Sequence, residues 1–351
     1  MTAAHSLRDL TRAMPKTELH LHLDGSLRPA TALELARTRK VEAAPRDLES
    51  MRAALTAPEH GASQARLLEA FDLPIALLQD AEALERVAGE LVEDKAADGV
   101  SYAEIRWAPL LHVAMGLPVA SGIGAVCRGA RLAAERSGIE VRLIATAMRS
   151  HDPPANATLA ETAATFIDDG LTGFDLAGPE AAFPDASAHT AAFTTARRAG
   201  LRITVHAGEW GGARQVRRAL SIDPDRIAHG PGAADDEWLK ARLRQRGISL
   251  DLCPTSNVQA GLVPALEKHP LARLHRAGVP VTLSTDDTTV AAITLSEEYA
   301  RAVERIGLTL PELWAIDRAG IAFAFCDEPT RDRLTHEFET WGTTHPELSA
   351  A

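Results

Sequence analysis

Three cysteines stand in the 351 residues, Cys127, Cys253 and Cys326, too few and too scattered for a disulfide framework. No C-x-x-C pair occurs, which excludes a cysteine-based zinc module and the P-C-x-x-C class of base deaminases. A basic excess is also missing. Lys and Arg number 37 against 48 Asp and Glu, a formal charge of −11. That balance argues against a nucleic-acid duplex as the main partner, since neutralising phosphates needs a basic face, but it leaves small nucleosides open. No run of about 18 apolar residues appears, so no membrane span is expected. Met1 to Pro15 lack an apolar stretch, so no secretory signal is expected, and the cytoplasm is the expected compartment.

Short β-like runs recur along the chain, each followed by a loop and a helical stretch. They are Glu18-Leu-His-Leu-His-Leu23, Ser101–Trp107, Glu140–Thr146, Gly173–Leu176, Leu201–His206, Arg226–His229, Ile248–Leu252 and Val279–Ser284. Gly138, Gly200, Gly247 and Gly278 lead into four of them, as helix-ending glycines do. Between the runs, Leu84 to Ala97 carries apolar residues at helical spacing, and Ala186–Ala199 and Asp235–Arg246 suit helices. Eight β/α units in succession predict an α/β fold, a (β/α)8 TIM barrel. The alternative, an open doubly wound sheet, lacks its G-x-G-x-x-G after an early strand. The stretch from about 37 to 78 is too long for a simple crossover. It reads as a helical insertion over the barrel mouth, inside a single 1–351 hydrolase domain. The tail from Glu297 reads as extra C-terminal helices packed outside.

Four of the 13 histidines fall at or near strand C-terminal ends: His20, His22, His206 and His229. In a barrel those ends form the active-site face. Residues i and i+2 of a strand share a face, so His20 and His22 can share one metal ion; alone, the pair also reads as two histidines in a polar strand. His206 closes the fifth run, and Asp286-Asp287 follow the eighth. Three imidazoles and a carboxylate at one mouth suit a zinc-like divalent ion with an open position for water. The competing reading of Asp286-Asp287 is an acidic helix start. Glu209, three residues past His206, can hold a proton beside that water, or can be a helix-start carboxylate. His229 can be a fourth ligand, a base, or a buried structural histidine.

Six segments, in order, carry a family resemblance: Met14-Pro-Lys-Thr-Glu-Leu-His-Leu-His-Leu-Asp-Gly-Ser26, Phe174-Asp-Leu-Ala-Gly178, His206-Ala-Gly-Glu209, Arg226-Ile-Ala-His-Gly230, Cys253-Pro-Thr-Ser-Asn257 and Ser284-Thr-Asp-Asp287. The chain resembles the adenosine deaminase family of the amidohydrolase superfamily. The resemblance implies one zinc ion held by His20, His22, His206 and Asp286. It implies that Glu209 exchanges a proton with purine N1 and that His229 orients the attacking water and helps remove its proton. It further implies that Asp287 bonds purine N7, that the Gly178 N–H meets N3, and that Asp24 accepts from a ribose 5′-hydroxyl. Members acting on free adenine tend to carry glutamate at the Asp24 position, so aspartate there favours a nucleoside.

The expected activity is therefore zinc-dependent deamination of adenosine and 2′-deoxyadenosine. Alternatives in the same chemistry are 6-amino-6-deoxyfutalosine, adenine and N6-substituted adenines. A two-metal amidohydrolase would need a bridging lysine at a strand end, and none is placed there; a non-catalytic binding protein would have shed the ligands. The sequence departs from the family pattern at Thr288-Thr289, Ala228 and Trp210-Gly-Gly212. Trp210 can narrow the mouth or stack on a substrate group, or be a surface aromatic. His5, His60, His112 and His269 read as structural or exposed, and His151 reads as the one other histidine able to line the pocket.

Overall fold

The computed structural model describes residues 7–41, 43–61 and 64–349, with the side chains of 64 and 65 left aside. His5 lies outside the described residues.

Eight parallel strands follow one another around the sheet in chain order. They are β1 Lys16–His22, β2 Val100–Trp107, β3 Glu140–Met148, β4 Leu171–Ala177, β5 Arg202–His206, β6 Arg226–Ala228, β7 Ser249–Leu252 and β8 Val281–Leu283. Each overlaps an expected run. The β8 chain passes beside β1, where His22 N donates to Asp286 O at 2.7 Å and Asp286 N to His20 O at 3.1 Å. This contact brings the two ends of the sheet together and makes a (β/α)8 barrel.

The alternation of β1 explains its composition. Leu19, Leu21 and Leu23 join the apolar core between sheet and helices, while His20 and His22 alternate with them and face inward. The interior below them is charged. Glu104, Arg106, Asp175, Arg226 and Asp251 are all fully buried. Each charge finds a partner, as burial requires: Arg226 pairs with Glu104 and with Asp251, and Arg106 meets Asp175 at 3.3 Å and Leu19 O at 2.7 Å.

The helix Ala81–Ala97 starts three residues before its expected start, because the Asp80 side chain caps it by accepting from Ala83 N. The inserted helical segment also begins earlier than expected. Helices Pro29–Thr38, Leu48–Leu55 and Gln64–Leu77 precede that crossover helix. Ala57 N donates to Val290 O at 2.9 Å, tying the insertion to the loop after β8. The tail is helical over Leu295–Arg301, Leu310–Phe323 and Glu328–Thr343, but it does more than pack outside. Between the last two helices the chain turns under the barrel, where Arg226 Cζ lies 3.7 Å from the Phe325 ring centroid and Phe325 N donates to Glu104. The tail thus closes the barrel floor. Among the described residues, no helix is long and apolar enough to cross a membrane.

Candidate active site

The strand ends bring together the four residues expected as metal ligands. His20 Nε2 lies 2.9 Å from Asp286 Oδ1, and His22 Nε2 lies 3.3 Å from the same oxygen. His20 and His22 Nε2 atoms are 3.3 Å apart, and His22 and His206 Nε2 atoms are 3.1 Å apart. Donors at about 2.0–2.1 Å from a tetrahedral zinc ion sit roughly 3.3–3.4 Å from one another, so the spacing and the N3O donor set both fit such an ion. Among the described residues, the other two groups able to hold a metal, His20–His229–Cys253 and Glu209–His229–Asp286, each share one ligand with this set, so the candidates overlap at one place.

The hydrogen bonds of His206 fix its tautomer. Its Nδ1 lies 3.0 Å from Asp175 Oδ2 and 3.2 Å from Oδ1. A carboxylate only accepts, so Nδ1 carries the proton and Nε2 keeps its lone pair for a metal. Burial raises the Asp175 carboxyl, but His206 and Arg106 outweigh burial and hold it well below its usual range. Asp175 lies within the Phe174–Gly178 motif, and its sequence gave it no role; only the fold sets β4 beside β5. Asp286 is likewise held low: burial raises it, and the surrounding imidazoles, His20 first, outweigh that. Ser256 Oγ donates to its other oxygen at 2.6 Å.

Glu209 sits on the loop after β5, its Oε2 3.7 Å from His229 Nε2. That loop is held by a residue the sequence did not single out. The buried Glu180 carboxylate accepts from Gly208 N at 2.7 Å, Trp210 N at 2.8 Å and Gly211 N at 2.9 Å. Burial, then Asp286 and Glu180, push the Glu209 carboxyl well above its usual range, toward the protonated form.

His229 and Asp286 adopt φ of +65° and +68°, a backbone region that side chains other than glycine rarely occupy. Such local strain is typical of functional positions. Asp287 lies against Gly25: a Cβ on Gly25 would sit 1.7 Å from Asp287 Oδ1, which makes glycine a packing requirement of this carboxyl.

A cavity of about 250 Å³ opens above the cluster. Asp24, Gly178, Asp287, Glu209 and Trp210 line it, with Leu67, Phe71 and Ile75 from the inserted helix and Ala108 and Leu111 from the loop after β2. Trp210 is therefore no surface aromatic; it packs on the cluster of Leu67, Ala70 and Val290 and faces the cavity. His151 does not line the cavity. His60 is exposed, whereas His112 and His269 are buried.

Residues 15–341 match the adenosine deaminase family model. The chain belongs to the adenosine deaminase family. It is 36% identical to the adenosine deaminase of Clostridium perfringens over 322 residues, covering 92% of this chain and 97% of the relative. It is 39% identical to that of Mycobacteroides abscessus, covering 93% and 95%. Among solved structures, the adenine deaminase of Arthrobacter aurescens superposes with a TM-score of 0.87 at 26% identity, covering 94% of this chain and all of that one. A zinc-bound amidohydrolase from Burkholderia ambifaria gives 0.87 at 29%, covering 98% and 96%. An Arabidopsis N6-mAMP deaminase gives 0.83 at 30%, covering 95% and 99%. This adenosine deaminase family member is accordingly a hydrolytic deaminase acting on a purine C–N bond.

Proposed function

We propose that the protein deaminates adenosine and 2′-deoxyadenosine hydrolytically, with one zinc ion per chain held by His20, His22, His206 and Asp286. The observation that carries the choice of substrate is the lining of the cavity. It presents the carboxyl groups of Asp24, Asp72, Glu209 and Asp287 and, among the described residues, no Lys or Arg. A nucleotide monophosphate would need a cation there. A neutral nucleoside offers hydroxyl donors, which carboxylates accept.

Bound at the four donors, zinc would act as a Lewis acid supplying a nucleophilic water at neutral pH. The chain's own groups do the rest. Attack at C6 adds electron density to N1, and Glu209, kept protonated by burial, delivers a proton to that nitrogen. On this reading Asp287, as the protonated carboxyl, donates to N7, and the Gly178 N–H donates to N3. Gly178 lines the cavity at a φ of +103°, a conformation that glycine adopts freely. Asp24 accepts from the ribose 5′-hydroxyl. His229 orients the attacking water. The apolar faces of Leu67, Phe71 and Ile75 cover the base and exclude bulk water. Barrel and inserted helices act as one hydrolase domain. On this reading it works in the cytoplasm, where its three unpaired cysteines stay reduced.

The test is ammonia release by the zinc-loaded enzyme from adenosine, 2′-deoxyadenosine, adenine, 6-amino-6-deoxyfutalosine, AMP and N6-methyl-AMP. The two nucleosides should turn over fastest. Preference for either nucleotide, for adenine, or for the 5′-extended nucleoside would overturn the substrate assignment and leave the deaminase chemistry standing.

A further inference from the structure

A chain of three hydrogen-bonding groups runs behind His229, and its direction is set at its far end. Leu271 N donates to His269 Nδ1 at 3.2 Å. A backbone N–H can only donate, so His269 Nδ1 accepts and the proton of the neutral ring sits on Nε2. His269 Nε2 lies 3.2 Å from Asn257 Oδ1, which accepts it. That orients the Asn257 amide and turns its Nδ2 to His229 Nδ1, 3.1 Å away. The amide N–H donates there, so His229 Nδ1 accepts in turn. The remaining proton of His229 therefore sits on Nε2. This is the atom that faces the site, 3.7 Å from Glu209 Oε2 and 3.8 Å from Asp286 Oδ2. His269, Asn257 and His229 are all buried, so solvent does not compete for these groups.

We infer that Asn257 and His269 are positioning residues that hold His229 as an N–H donor toward the reacting water. His206 and His229 thus enter one mouth as opposite tautomers. His206 is protonated at Nδ1 by its Asp175 contact and offers a lone pair. His229 is protonated at Nε2 and offers a hydrogen. In this state His229 has no lone pair for a metal or for the water's proton; it fixes the water's orientation by donating to its oxygen. The inference deepens the deaminase reading above and rests on it for the identity of the water.

The first measurement is the two-bond nitrogen–proton spectrum of the zinc-loaded protein labelled with 15N-histidine, His229→Gln serving to assign the ring. The expected result is an Nε2–H tautomer for His229. An Nδ1–H ring would overturn the inference by itself, with no need of a variant. Asn257→Asp should move the proton to Nδ1, because a carboxylate there can only accept. Zinc content should be unchanged, with kcat falling about 10²–10⁴-fold and KM nearly constant, as expected when a wrong tautomer leaves geometry intact. His269→Gln keeps a donor toward Asn257 and should retain most turnover, whereas His269→Leu frees the amide to flip and should lose about 10–100-fold. Loss of zinc from Asn257→Asp, or full activity with the proton moved, would also overturn the inference. The spectrum does not depend on the substrate. A silent substrate panel with an Nε2–H ring would remove the deaminase reading alone.

Discussion

His206 Nδ1 donates to Asp175, whose carboxylate lies 3.0 Å away and also meets Arg106 at 3.3 Å. The pair spans β4 and β5, and it turns the lone pair of His206 toward His22 and Asp286. The Asp175 charge is thus shared between the proposed ligand His206, whose Nε2 must stay deprotonated to bind a metal, and a buried guanidinium that must stay paired. Asp175→Asn removes that charge and can present an N–H to Nδ1, forcing the proton to Nε2. Zinc affinity should fall about 10–100-fold, read by competition with a chelator. A near-native far-ultraviolet spectrum would show that the loss is local.

The ligand and the proton carrier separate by metal content. His206→Ala should lose zinc. Glu209→Gln should keep it and lose most turnover, because an amide NH2 is far too weakly acidic to protonate N1. Near-normal activity of Glu209→Gln would remove its role, and unchanged metal content in His206→Ala would remove it from the ligand set.

Glu180 acts on Glu209 through the backbone. Its two oxygens serve three N–H groups of residues 208–211, so glutamine must set an NH2 against at least one of them. Glu180→Ala leaves three donors without partners, at roughly 1–3 kcal/mol for each that stays buried. We expect Glu180→Gln to lower kcat by about tenfold or more with zinc retained, since displacements near 1 Å are costly at a reacting centre. Unfolding by urea should show Glu180→Ala the less stable of the two.

Gly25→Ala tests the placement of Asp287. The added methyl overlaps the Asp287 carboxyl and must displace it. Purine N7 only accepts, so Asp287 must donate to it as the protonated carboxyl, and loss of that neutral hydrogen bond is worth about 0.5–1.5 kcal/mol, or about 2–12-fold in kcat/KM. Zinc content should not change, since the proposed ligand set includes Asp286 and not Asp287.

Asp317 gives stability a pH dependence remote from the site. Its Oδ1 accepts from Thr17 N at 2.8 Å and Tyr299 OH at 2.8 Å, while Oδ2 is buried with no partner among the described residues. Burial pushes this carboxyl up to about 7, against the pull of those hydrogen bonds and of Lys16. Unfolded, an aspartate titrates near about 4. Between those values the folded chain binds the proton and the unfolded chain does not, so unfolding free energy falls as pH rises. The contribution is fully present below about pH 4 and gone above about pH 7. Glu298, also raised to about 7 by burial, acts with the same sign. Asp317→Asn should flatten the decline measured by urea unfolding between pH 5 and 7, and an unchanged slope would show that Asp317 is ionised throughout.

The amino-acid sequence by itself determined the repeating strand–helix units, the inward face of His20 and His22, and the loops that carry Glu209 and Asp286. Those features are local: two-residue alternation sets which face a strand residue takes, and the strand end sets which mouth it reaches. The start of the inserted helices at Pro29 and the turn of the tail beneath the barrel were less legible, because apolar spacing predicts a helix but not the surface that receives it. Asp175, Glu180, Asn257 and His269 acquire their roles only in the folded chain. Asp175 meets a ring 31 residues away, and Asn257 one 28 residues away. A tautomer is decided by whichever donor or acceptor the fold sets opposite a ring nitrogen, and such a partner arrives from another strand or loop. Trp210 shows the same division: the loop is plain in the sequence, but its burial was decided by the inserted helix above it.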